Sequence, residues 1–251
     1  MTRTVQRFPD LEALSRAVAD EIAAIAAADV RDRGRASIAL SGGKTPERLF
    51  ELLAARGPDA LPWRMIDLWW CDERMVPASD PASNAGRARA ALVEPLGLSA
   101  ARVHRIAGEL DDPEAAARAY HDALVDGLGA PPILDLCLLG LGGDGHTASL
   151  FPDSAALAET SRYAVAARAP AGLPVPERVT LTVPVLRAAR RVRFLVAGGD
   201  KSEAVAAALE GPRDPRRHPA QMIDAGHGDV GWRLDEAAAS RLHEPTGGGS
   251  R

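Results

Sequence analysis

Lysine is almost missing from this chain. Of 30 Lys and Arg residues in 251, only Lys44 and Lys201 are lysine, so cationic positions are filled by arginine. The two exceptions are either places where a compact, flexible ammonium is needed rather than a planar fork or chance survivors on solvated surface. Both stand beside glycine pairs, in Ser41-Gly42-Gly43-Lys44-Thr45-Pro46 and in Gly198-Gly199-Asp200-Lys201-Ser202. Cysteine is equally scarce. Cys71 and Cys137 each end or interrupt a strand-like run, and their spacing suggests neither a disulfide framework nor a zinc site, so a reduced, cytoplasmic setting is the expectation. No apolar run approaches the roughly 20 residues that span a bilayer, and residues 1–10 lack the apolar stretch of a secretion signal. A membrane partner is therefore not expected. Net charge is −4 and the pI near 5.9, which leaves no broad basic surface for nucleic acid. Any anion site has to be local.

What is present is an alternation of helix and strand. Leu11, Leu14, Val18, Ile22 and Ile25 recur at helical spacing after Asp10, a plausible N-cap, and Gly34 supplies a stop. Ala36 to Leu40 reads as a strand, and Thr45-Pro46 as N-cap and first-turn proline of a helix through Ala55. Further strands are expected at Met65–Trp70, Val103–Ile106, Ile133–Leu139, Tyr163–Ala167, Arg178–Val183, Arg191–Ala197 and Ala220–Ile223, with helices at Pro113–Leu128 and Lys201–Leu209 and a final turn at Asp235–Ser240. The pattern predicts a doubly wound, mostly parallel sheet flanked by helices in one domain, residues 1–243, with a disordered glycine-rich tail at 244–251.

Three loops are expected to converge on the carboxyl edge of that sheet, where open α/β sheets bind ligands. The first, Ser41-Gly42-Gly43-Lys44-Thr45, ends like a P-loop, but the position that would need the first glycine is Ile38, inside a strand. What survives is a glycine turn at a helix start with an ammonium nearby, enough for one phosphate. The second delivers Cys71-Asp72-Glu73-Arg74. The third, Gly140-Leu141-Gly142-Gly143-Asp144-Gly145-His146, matches a dinucleotide fingerprint by letter. It lacks the acidic residue about 20 positions on, where the chain reads Tyr163-Ala164-Val165, and Pro152 cuts short the helix that the fingerprint requires. His146 on this loop is the candidate catalytic residue. It has no second histidine at i+3 or i+4, so no metal site is expected.

These residues resemble the 6-phosphogluconolactonases. The resemblance rests on Ser41–Pro46, Trp70–Arg74 with Ser83-Asn84, Gly140–Pro152, Arg178–Thr182 and Gly198–Ser202, five ordered blocks over most of the chain. It implies a Rossmann-like sheet and hydrolysis of 6-phospho-D-glucono-1,5-lactone without metal or organic cofactor. It also implies His146 as the base, Gly42, Gly43 and Thr45 as phosphate donors, and Arg74, Arg178 and Lys201 as substrate contacts. Ser41 and Lys44 belong to the same phosphate turn, and Asp72 is expected to orient either His146 or Arg74. Such a site takes a phosphorylated sugar lactone, with no nucleic acid or membrane partner, in a monomer or weak homo-oligomer. The chemistry suits imidazole, whose proton exchange falls near neutrality, and a lactone is an activated ester needing only an aimed, deprotonated water.

Two other readings stand beside it. A glucosamine-6-phosphate deaminase would carry an acidic residue where this chain has Phe151, and usually tyrosine in place of Arg74. A sugar-phosphate sensor would carry a basic DNA-binding helix pair ahead of the first strand, which is expected here by residue 36 and leaves no room for it.

Overall fold

The computed structural model describes residues 2–224 and 229–243. Its strands are β1 (Thr2–Phe8), β2 (Ala36–Leu40), β3 (Ile66–Trp70), β4 (Asp72–Arg74), β5 (Leu136–Leu139), β6 (Ala164–Arg168), β7 (Glu177–Leu181), β8 (Val192–Val196) and β9 (Asp229–Asp235). Its helices are α1 (Leu11–Arg33), α2 (Lys44–Ala55), α3 (Asn84–Ala88), α4 (Pro113–Leu128), α5 (Val183–Ala188), α6 (Ser202–Leu209) and α7 (Ala220–Asp224). Six strands make one parallel sheet in the order β1-β9-β8-β5-β2-β3. The expected tail at 244–251 lies outside the described residues.

Local chemistry sets the boundaries of α1. The Asp10 carboxylate accepts the Ala13 N–H at 2.8 Å, and Gly34, at φ 76°, returns its N–H to the Val30 carbonyl. Leu14, Val18, Ile22 and Ala26 form the buried stripe between these ends. β2, β5 and β8 are buried along their whole length, as strands covered on both faces are. Phe194 on β8 and Trp232 on β9 are register partners whose rings stack at 4.0 Å. At the sheet's other edge the Tyr120 hydroxyl of α4 accepts the Trp70 N–H and donates to the Trp70 carbonyl, satisfying the last backbone groups of β3.

Several expected elements differ. The first strand, expected at residue 36, is instead the edge strand Thr2–Phe8, and α7 replaces the strand expected at Ala220–Ile223. The last strand is β9, which its composition conceals: Gly231 and Arg233 argue against a buried strand. A Cβ at Gly231 would lie 2.6 Å from Arg233 Nη1 and 2.8 Å from Arg193 Cδ, so this glycine makes room for two arginines that Glu21 of α1 clamps. Val103–Ile106 forms only a single bridge, Val103 to Leu68. Thr45 does not cap α2; Gly43 holds that place, at φ 110°, and Thr45 lies in the first turn.

The largest difference concerns β6 and β7, which do not extend the main sheet. With β4 they form a separate antiparallel sheet, β4-β7-β6. Cys71 makes the crossing between the two sheets: its N–H donates to Leu40 in β2, and its carbonyl accepts from Leu181 in β7. The segment expected to be a loop at Asp72–Arg74 is thus a strand, and it puts Arg74 directly opposite Arg178.

Strand order locates the ligand crevice. From β2 the chain moves outward to β3, whereas β5, β8 and β9 build outward on the opposite side. The order reverses between β2 and β5, and at such a switch point the two outgoing loops part and leave a cleft.

Candidate active site

The cleft encloses about 510 Å³ and takes its walls from four sides, within the range of small-molecule sites. The loop after β2 supplies Ser41 through Pro46, the small sheet supplies Asp72, Arg74 and Arg178, and the loop after β5 supplies Gly140 through Ala148. Lys201, just before α6, closes the remaining side. All ten residues singled out in the sequence therefore meet in one cavity.

His146 is held by a glycine turn. The Gly145 N–H donates to the Gly142 carbonyl, with Gly145 at φ 88°, and the Gly142 N–H donates to the carbonyl of His146. The imidazole folds back over Gly142 so closely that a Cβ there would lie 2.0 Å from Nδ1. Asp144 Oδ1 stands 2.5 Å from Nδ1 and also accepts the His146 backbone N–H at 3.2 Å. A carboxylate in that position requires a proton on Nδ1, leaving Nε2 with its lone pair in the neutral ring. Burial pushes the Asp144 carboxyl up, but the hydrogen bond and charge of His146 outweigh it and hold the group below its usual range. The Phe151 ring lies 4.6 Å from the imidazole, and Thr147 ties the loop's base by donating its hydroxyl to Gly140. Ala148 sits at φ 48°, a strained conformation for a residue with a side chain.

Asp72 does something other than the sequence suggested. Its Oδ2 accepts the Ser149 hydroxyl at 2.6 Å and its Oδ1 the Asn84 side-chain amide at 3.2 Å, so it joins the histidine loop to α3. The carboxylate on the imidazole is Asp144. That role was legible only as an aspartate two residues before a histidine in a glycine turn.

The two arginines face each other across the small sheet and line the cleft. Arg178 is 7% exposed and donates Nε to the Val175 carbonyl. Burial and the facing charge of Arg74 lower its pKa, against the pull of Asp72 and Glu73. Arg74 donates Nη1 to the Ala82 carbonyl, while its buried Nε has no partner among the described residues. Like charges opposite each other in a ladder are unfavourable, and an anion between them relieves the repulsion.

On the glycine side, Ser41 spends its hydroxyl on the Leu138 carbonyl at 2.6 Å, lacing the end of β2 to β5. Gly42 and Gly43 leave open backbone at the start of the twelve-residue α2, where free N–H groups favour anions. Lys44 is exposed there, and Lys201 pairs with Asp200 at 3.0 Å. Among the described residues no three His, Cys, Asp or Glu side chains gather as a metal site would need, and no helix is long and apolar enough to cross a membrane.

A parallel sheet with a basic, glycine-lined cleft at its switch point defines a Rossmann-like protein with a small-molecule site suited to an anion. The model of the glucosamine-6-phosphate isomerases/6-phosphogluconolactonase family matches residues 9–232, and the chain belongs to that family. A 6-phosphogluconolactonase of Synechocystis sp. is 40% identical over 217 residues, covering 85% of this chain and 87% of its own. The structure of 6-phosphogluconolactonase from Trypanosoma brucei superposes with a TM-score of 0.87 at 29% identity, over 96% of this chain and 99% of that one. A monomeric glucosamine-6-phosphate deaminase aligns at 0.79 and 26% identity, over 94% and 99%.

Proposed function

We propose that this chain hydrolyses 6-phospho-D-glucono-1,5-lactone to 6-phospho-D-gluconate, with His146 as general base. The observation that carries this reading is the Asp144 carboxylate on Nδ1, which leaves Nε2 as the free basic atom on a residue lining the cleft. Nε2 takes a proton from water, whose oxygen attacks the lactone carbonyl. The tetrahedral oxyanion collapses, the bond to the ring oxygen breaks, and the imidazolium returns its proton to that leaving oxygen. No covalent enzyme intermediate is needed, and base assistance of this kind contributes on the order of 10² to 10⁴ in rate. The Gly42-Gly43 turn with Thr45, Lys44 and Lys201 holds the phosphate or the groups beside it, while Arg74 and Arg178 neutralise the substrate's anionic end or the developing oxyanion. Anchoring the remote phosphate determines which carbon faces the histidine.

Asp72 belongs to the scaffold of this site through Ser149 and Asn84 rather than to the proton relay. Phe151, 2% exposed and packed on the imidazole, puts a ring where a deaminase resembling this chain would use a carboxylate, which favours hydrolysis over ring opening with ammonia release. The enzyme would work in the cytoplasm, as a monomer or weak homo-oligomer, with neither nucleic acid nor membrane as partner.

Purified protein should speed the loss of freshly prepared lactone above its spontaneous rate, and His146→Ala should lower kcat by a factor of about 10² or more with little change in KM. Unchanged turnover in that variant removes the base assignment. Ammonia release from glucosamine 6-phosphate overturns the hydrolase reading.

A further inference from the structure

Asn84, at the first position of α3, is 2% exposed and lines the cleft. Its backbone is fixed from below: Glu73 Oε1 accepts the Asn84 N–H, and Oε2 accepts the Ala85 N–H and the Ser83 hydroxyl. Its side-chain amide nitrogen donates to the Asp72 carbonyl at 2.9 Å and to Asp72 Oδ1 at 3.2 Å. Both of those partners are acceptors only, so the nitrogen must face Asp72 and the amide cannot be flipped. Oδ1 consequently points the other way, toward Gly42, where a Cβ would fall 1.7 Å from it. No donor among the described residues reaches it. A buried acceptor left without a donor is costly; Asn84 lines the cleft, and its Oδ1, which has almost no accessible surface beside Gly42, becomes reachable by a ligand donor once that glycine gives way.

We infer that Asn84 is a specificity-determining residue, whose Oδ1 accepts a hydrogen bond from one hydroxyl of the bound sugar chain. This rests on the sugar-phosphate reading above and goes beyond it by matching an acceptor of the protein to a donor of the substrate. Arginine, lysine and backbone N–H groups only donate, so they leave the proton of a substrate hydroxyl without an acceptor; the orphan oxygen of Asn84 can take it. Gly42 then has a second function besides exposing its amide, since any side chain there would fill the approach to Oδ1. Asp72 is the positioning residue for this contact.

The test compares 6-phospho-D-gluconate with its mono-deoxy analogues as competitive inhibitors of the wild type and of Asn84→Ala. One analogue should bind the wild type at least about tenfold more weakly than the parent compound, and in Asn84→Ala that gap should close to within about twofold while the gaps for the other analogues persist. A uniform loss across all compounds, or an unchanged gap, overturns the inference. Should Asn84→Ala fail to fold, the side-chain amide resonances of Asn84 in ¹⁵N-labelled wild type decide it. They should shift with 6-phospho-D-gluconate and not with inorganic phosphate or the discriminating analogue; equal shifts with all three overturn it. Intact lactone hydrolysis with unaltered discrimination removes this inference alone, whereas absence of both hydrolysis and aldonate binding removes the function on which it rests.

Discussion

Asp144 and His146, two residues apart in one glycine turn, face each other at 2.5 Å between Oδ1 and Nδ1. A carboxylate at that distance determines the tautomer and orientation of an imidazole, as it does in the histidine–carboxylate pairs of known catalytic triads. Asp144→Asn keeps the shape but can present an NH₂ group to Nδ1, which moves the ring proton to Nε2 and removes the basic lone pair from the cleft. A fall in kcat of roughly 10² to 10⁴, at near-constant KM and melting temperature, is expected in steady-state assays. Retention of most activity would show that the pair is incidental.

Gly142 is needed for a different reason. Its added Cβ would meet His146 Nδ1 at 2.0 Å and Asp144 Oδ1 at 2.6 Å, so Gly142→Ala must push the imidazole aside by an ångström or more. Displacements of that size cost about 10² in rate. Because the loop borders an open cleft, thermal unfolding should change little, and the lactonase assay should carry the whole effect.

Arg178 faces Arg74 across β4 and β7, and the two positive charges are unfavourable until an anion joins them. Arg178→Met should therefore raise KM and the inhibition constant of 6-phospho-D-gluconate by about ten- to a hundredfold, the scale of a lost charged hydrogen bond. The same substitution should leave the melting temperature unchanged or slightly higher. A large loss of stability with unchanged KM would make Arg178 structural.

Far from the cleft, Glu21 of α1 bridges Arg193 and Arg233 at 2.6 to 3.0 Å. Burial pushes its carboxyl up, but the hydrogen bonds and charges of the two arginines prevail and hold it below its usual value. A carboxyl depressed in the folded state contributes stability above its unfolded pKa, and that contribution disappears as pH falls through the folded value. Glu21→Gln should cost about 2 kcal/mol in urea melts at pH 7, less than a fully buried pair because the side chain keeps some exposure. The difference from wild type should shrink as the pH is lowered toward 3. A pH-independent difference would contradict the electrostatic account.

Much of this arrangement could be read from residues alone. α4 and β2 match their expected bounds, since capping by Asp112 and a continuous apolar run are local signals. The glycine turn, His146 and the arginine positions were recognisable as blocks. Asn84 was visible within one of them without a stated role, because nothing in Ser83-Asn84 tells that the amide nitrogen is occupied by Asp72 and the oxygen left without a partner among the described residues. β4 escaped notice for a similar reason: three residues show no period, and they are a strand only because β7, about a hundred residues later, supplies the ladder.

The amino-acid order alone determined the alternation of helix and strand, the neutral-to-acidic surface with one local basic site, and the histidine on its glycine loop, since each depends on neighbours within a few residues. Tertiary structure decided the rest. It separated β6 and β7 from the main sheet, admitted two arginines into β9 opposite Glu21, gave His146 to Asp144 and Asp72 to Ser149 and Asn84. These outcomes depend on which distant donors and acceptors meet once the backbone has closed, and burial makes each such meeting either satisfied or costly.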